Sequence, residues 1–203
     1  MIFIKKLSNI ILVLTVVLFV VGCSTNKTKS EEKEKTVKTT SIPTQYFDKK
    51  TTQSTISKSQ MKKDIQLYLD SDKKRTKAGN YYEVLSNPEK ELTQKDIDKI
   101  KKASHLKKEN DQNFSNYIQN NKLPNNYQTN ADHISKFTQS NNKVMMNLDK
   151  SIENSSDKNK NSKLPKEEIK ALQQSAKSVN GKEQAKIEQF LNQENIHTIA
   201  FEK

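Results

Sequence analysis

Glycine is scarce in this chain: 203 residues hold three, Gly22, Gly79 and Gly181. Glycines so far apart cannot write a phosphate-cradling loop or a nucleophile elbow. Cys23 is the single cysteine, so no intrachain disulfide can form and a multi-cysteine zinc site is excluded. His105, His133 and His197 stand apart, and none sits in an HExxH pattern. No catalytic set, metal site or cofactor is therefore expected. Tryptophan is absent, and Arg75 is the sole arginine in a chain with a net charge of +12. Lysine ammonium groups are flexible point charges without the bidentate fork that reads base edges, so specific nucleic-acid binding is not expected. The charges of both signs are interspersed over the C-terminal part, which reads as a solvated surface.

The apolar residues that exist, 32% of the chain, are unevenly placed. Lys5 and Lys6 precede an apolar run from Ile10 to Val21, broken only by Thr15. The run is shorter than the ~20 residues of a membrane-spanning helix and has the form of a signal-peptide core. It ends in Val20-Val21-Gly22-Cys23, which resembles the bacterial lipobox, with Val20 in place of the commoner leucine. The resemblance implies that residues 1–22 are a lipoprotein signal peptide. It also implies that Cys23 carries a diacylglyceryl thioether and fatty acid such as palmitate, anchoring the chain to the outer face of the cell membrane. Two or three acyl chains, at about 0.8 kcal/mol per buried methylene, hold far more durably than one.

Residues 23–58 are rich in Ser, Thr, Lys and Gln, with only Val37, Ile42, Tyr46, Phe47 and Ile56 as scattered apolar positions. Such a segment reads as a flexible tether, about 35 residues with a reach on the order of 30–35 Å. Tyr46 and Phe47 are taken as incidentally exposed within it, with docking on the domain as a short anchor the alternative.

Residues 59–203 carry a helical period. Ser57 and Gln60 fit a capping box ahead of Met61, Ile65, Tyr68 and Leu69, and Gly79-Asn80 looks like a stop. Tyr81, Tyr82, Val84 and Leu85 form a short cluster before Asn87-Pro88. Thr93 and Asp96 form a second capping box opening a helix to about Asn120, with a stripe Ile97, Ile100, Ser104, Lys107 or Lys108, Asp111, Phe114 and Ile118. A third helix, from about Thr129, bears Ile134, Phe137, Val144, Met145, Leu148 and Ile152 with Asn141 among them. Residues 153–163 read as a loop. Pro165 begins a fourth helix, Asn180-Gly181 ends it, and a fifth carries Ala185, Ile187, Phe190 and Leu191, with a tail at Ile196–Phe201. The fold class is all-α, a small bundle of about five helices after the tether. Polar residues interrupt two of the stripes, so the core should be thin.

One local pattern stands out, Asn110-Asp111-Gln112-Asn113-Phe114. It resembles the NDxxF motif that names a family of staphylococcal lipoproteins of about this length, with Asn110, Asp111 and Phe114 at the motif positions. The lipobox, the polar tether and the lysine-rich, arginine-poor composition fit the same resemblance. It implies an address and assigns no reaction. On a helix these three residues share a face, which puts Asp111 on an apolar stripe where a carboxylate needs donors. The expected role is a polar clamp between helices, through a lysine or backbone amides. A binding or catalytic carboxylate and an exposed motif are the alternatives.

The functional expectation is a lipid-anchored extracytoplasmic protein, a non-enzymatic interaction or structural component of the envelope. Its partners would be the membrane through Cys23 and an envelope protein or an anionic wall polymer. The alternative is an envelope enzyme or chaperone-like factor with an unrecognised site.

Overall fold

The computed structural model describes residues 41–87, 91–155, 166–177 and 181–202. The expected signal peptide, Cys23, the expected tether up to residue 40, Pro88, most of the expected loop at 153–163, Pro165 and Asn180 lie outside the described residues.

The described residues are all-α, with six helices: α1 (Lys58–Ala78), α2 (Tyr81–Ser86), α3 (Gln94–Gln119), α4 (Tyr127–Ser155), α5 (Lys166–Lys177) and α6 (Gly181–Gln193). The short cluster at Tyr81–Ser86 is the sixth helix beyond the expected five. Local chemistry sets the boundaries. At α3 the Thr93 hydroxyl accepts from the Asp96 amide and the Asp96 carboxylate accepts from the Thr93 amide, so the box closes in both directions. At α1 only half forms: Ser57 accepts from the Gln60 amide at 3.2 Å, while the Gln60 side chain turns to Asp64. The stop after α1 divides its labour. Asn80 takes the left-handed conformation at φ 55°, while Gly79 has an ordinary αR geometry. Gly79 is there for space, because a Cβ would lie 2.6 Å from the Tyr81 ring. Gly181 was expected to end a helix and instead opens α6.

α3 packs along both α1 and α4, α2 bridges α1 and α5, and α5 and α6 lie on α4. The residues from Ile196 to Phe201 form a turn-rich tail in which the Ile199 amide and Thr198 hydroxyl donate to Asp70. Among the described residues no helix is long and apolar enough to cross a membrane.

The core has two apolar clusters. One is aromatic, built from Phe47, Tyr68, Phe114, Tyr117, Tyr127 and Phe190 with Met61, Ile65 and Ile118. The other is mainly aliphatic, with Ile97, Ile100, Leu148, Ile152, Ile169 and Leu172 around Tyr81. The middle turns of α1, α3 and α4 bury Ser71, Arg75, Thr76, Lys107, Asn110, Asp111, Thr138 and Asn142 instead. This polar waist is the physical form of the interrupted stripes.

The expected tether boundary is corrected. Residues 41–57 lie against the helices as a strap, and its Ile42, Phe47 and Ile56 are buried. Phe47, read from sequence as exposed, has 0% of its surface accessible. Further along, Thr55 forms a parallel bridge with Lys122 in the α3–α4 turn, with Ile56 donating to Lys122 O at 2.9 Å and Lys122 donating to Ser54 O at 2.9 Å. Four apolar residues in seventeen, three of them buried, look too sparse to offset ordering entropy. The strap succeeds because its backbone polar groups find fixed partners, which composition does not reveal.

Candidate functional site

The NDxxF residues sit where α3 meets the strap, α1 and α4. Asn110 is fully buried. Its Oδ1 accepts from the Phe47 amide at 2.8 Å and from the Ser71 hydroxyl at 2.9 Å, and its Nδ2 donates to Tyr68 O at 3.2 Å. One turn on, Asn113 Nδ2 donates to Phe47 O at 3.1 Å. The backbone of Phe47 is thus held on both sides by side chains of one helix. Phe114 completes the grip. Its ring meets Phe47 edge-on at 5.3 Å and stacks on Tyr68 with centroids 4.0 Å apart and planes 4° from parallel. Arg75 binds the strap too: its guanidinium donates to Ser71 O and Gln45 O and lies 5.3 Å from the Tyr46 ring centroid. The sole arginine is spent inside the fold.

Asp111 is 5% exposed, and it does clamp helices. The partners differ from those expected. Tyr68 on α1 donates its hydroxyl to Oδ1 at 2.7 Å, and Asn142 on α4 donates its amide to Oδ2 at 2.9 Å. The lysine of the waist, Lys107, goes elsewhere, donating to Asp72 Oδ1 at 2.7 Å and to Thr76 Oγ1 at 2.5 Å. Asn142 links the two carboxylates through a second bond, 2.8 Å to Asp72 Oδ1. Burial pushes the Asp111 carboxyl up to about 6, against the pull of the Asn142 and Tyr68 hydrogen bonds and of the Lys107 charge, and Asp72 adds to the rise. Burial likewise lowers the Lys107 ammonium, with Asp72 opposing it, and raises the Tyr68 phenol well above its ordinary range.

His105 and His133 are both exposed, His105 facing Glu109 at 3.5 Å on its own helix. His197 is exposed in the C-terminal tail beside Asp70 and Glu188. The bonds Asp111 makes go to Tyr68 and Asn142, not to an imidazole. No group of His, Cys, Asp and Glu suited to a metal occurs among the described residues. Cys23, the lipidation candidate, lies outside the described residues.

Sequence reasoning placed Asn110, Asp111 and Phe114 on one face and missed their counterparts. Asn142, not the noticed Asn141, is the buried amide of α4. Asp72, Thr76 and Arg75 follow the apolar α1 stripe by a turn, and only that continuation could have singled them out. Comparison with protein-family models, curated proteins and solved structures finds no match.

Proposed function

We propose that the chain is a lipoprotein of the NDxxF type, held on the extracytoplasmic face of the membrane through Cys23. In this reading its helical body works by contact with envelope components and not by catalysis. The observation that carries the reading is how the motif is used. Asn110, Asn113 and Phe114 hold the strap, and both oxygens of Asp111 are occupied from within the fold. A general acid or base needs hydrogen-bond access to a substrate proton. This carboxylate, although it lines the α3–α4 groove, is 5% exposed with both oxygens already engaged. The surface is left to do the work, and it is rich in lysine.

An acidic group poised near 6 favours a second reading, an envelope enzyme that uses Asp111. The two readings separate on one comparison. Under the contact reading, Asp111→Asn changes stability and its pH dependence while envelope association stays proportional to folded protein. Under the enzyme reading, a folded Asp111→Asn protein fails to complement a deletion strain.

The anchor is tested by metabolic labelling with a fatty acid. Wild-type protein is expected to take up label and to be shaved by protease from intact protoplasts. Cys23→Ala is expected to take up none and to appear as precursor or in the medium. Retained labelling of Cys23→Ala would sink the assignment.

A further inference from the structure

The seam between α3 and α4 opens outward over Asp111 as a groove of about 510 Å³. Lys136 and Lys143 stand on the α4 wall and Lys108 on the α3 wall, with the amides of Gln112 and Asn116 between them. All three lysines are exposed, and none is paired with a carboxylate among the described residues. Some lysines elsewhere are engaged, Lys49 with Asp64, Lys58 and Lys62 with Glu194, Lys101 with Glu153. Lys63, Lys77 and Lys170 are exposed and outside these pairs, so what sets the three apart is their alignment along one groove. Lys136 and Lys143 are seven residues apart, two helical turns on one side, so their stems leave α4 roughly 10 Å apart along the groove. The carboxylate in the floor is committed to Tyr68 and Asn142 beneath it.

We propose that this groove binds a linear polyol-phosphate polymer, a chain of phosphodiesters without bases. The inference rests on the contact reading above and names its partner. Two or three ammonium groups spaced along a groove, with neutral amides between them, complement a flexible chain of single negative charges. A compact charge would instead need a convergent cage. Ammonium groups suit phosphate as point charges without fixing its orientation. The groove has no aromatic ring on which a base could stack, and Met146 is its one large apolar side chain. A lipid surface would require an apolar face beside the lysines, which this groove does not present.

The test uses the full lipidated chain in phosphatidylcholine nanodiscs, titrated calorimetrically with synthetic poly(glycerol phosphate) at several salt concentrations. Wild type is expected to bind with an affinity that falls with salt. Lys108→Gln/Lys136→Gln/Lys143→Gln is expected to weaken binding roughly tenfold or more and to flatten the salt slope by about 2–3. Lys63→Gln/Lys77→Gln/Lys170→Gln removes equal charge from exposed positions off the groove and is expected to change affinity less than about twofold. Circular dichroism of both triple variants checks the fold. Equal weakening by the two triples would overturn the proposal, as diffuse charge attraction. Absence of wild-type binding, equally tight binding of single-stranded poly(dT), or binding only to discs containing phosphatidylglycerol would also overturn it. Fatty-acid labelling of Cys23 is read on the same preparations, so a failed groove and a failed anchor give different results.

Discussion

One turn of α3 separates two kinds of interior. Phe114 enters an aromatic cluster where four rings, Phe47, Tyr68, Phe114 and Tyr117, touch in series. Asp111 enters a waist where a tyrosine, an asparagine, a second aspartate and a lysine are joined by hydrogen bonds. The aromatic end gains from removing apolar surface from water and depends on shape. The waist gains little net energy from its charges, since desolvation offsets much of the attraction, and depends on every member being present. What the waist does supply is register. Tyr68 and Asn142 fix where α1 and α4 stand against α3, and Asn110 fixes where the strap lies.

The comparison can be broken first at the strap. A chain beginning at Ser57 lacks Phe47 and Ile42 and exposes the faces of Phe114 and Tyr117. It is expected to lose cooperative thermal unfolding by circular dichroism, the largest effect foreseen. Phe114→Ala comes next. It leaves a void between Tyr68 and Phe47 and is expected to cost about 3–5 kcal/mol in denaturant unfolding, a large part of a small domain's ~5–15 kcal/mol.

The waist is probed by Lys107→Met. The substitution keeps the stem's volume but leaves Asp72 without its cation, and about 3 kcal/mol of destabilisation is expected in the same measurement.

Asp111→Asn should be milder, on the order of 1–3 kcal/mol at neutral pH. Its diagnostic is the pH profile. The folded carboxyl titrates at about 6, above the ordinary 3.8. Between those values the folded state binds more protons than the unfolded state, so this group's contribution to stability falls as pH rises. The wild type should therefore lose on the order of 2–3 kcal/mol more than Asp111→Asn between pH 4 and pH 7. Parallel pH profiles for the two proteins would put Asp111 in an environment unlike the one described.

Much of the helical frame was legible in the sequence, and for stated reasons. Thr93 and Asp96 announced α3, and the stripe from Ile97 to Ile118 gave its buried face, with Lys107 as the member that turns inward. The polar interruptions were visible too, and they became the waist. Three things were hidden. The strap was hidden because its order comes from backbone bonds to Asn110, Asn113 and the α3–α4 turn, contacts 63 to 70 positions apart. Tyr68 was legible on the α1 stripe but its bond to Asp111 was not, and Asn142 was hidden because an asparagine carries no periodic signal of burial. The role of Gly181 was hidden because a glycine after asparagine commonly ends a helix and here begins one. The motif itself was legible as a helix face, but its purpose needed the strap to be in view.

The central claim is that the NDxxF motif holds the strap to the bundle, and amide hydrogen exchange at Phe47 tests it most directly. That amide donates to the buried Asn110 side chain, 63 residues away in sequence. In the wild type it should exchange nearly as slowly as the core amides of α3. In Asn110→Ala it should speed up by roughly tenfold to a hundredfold, the loss of about 1–3 kcal/mol of local protection, while the α6 amides keep their rates. A Phe47 amide that exchanges at the unprotected rate in the wild-type protein would contradict the account.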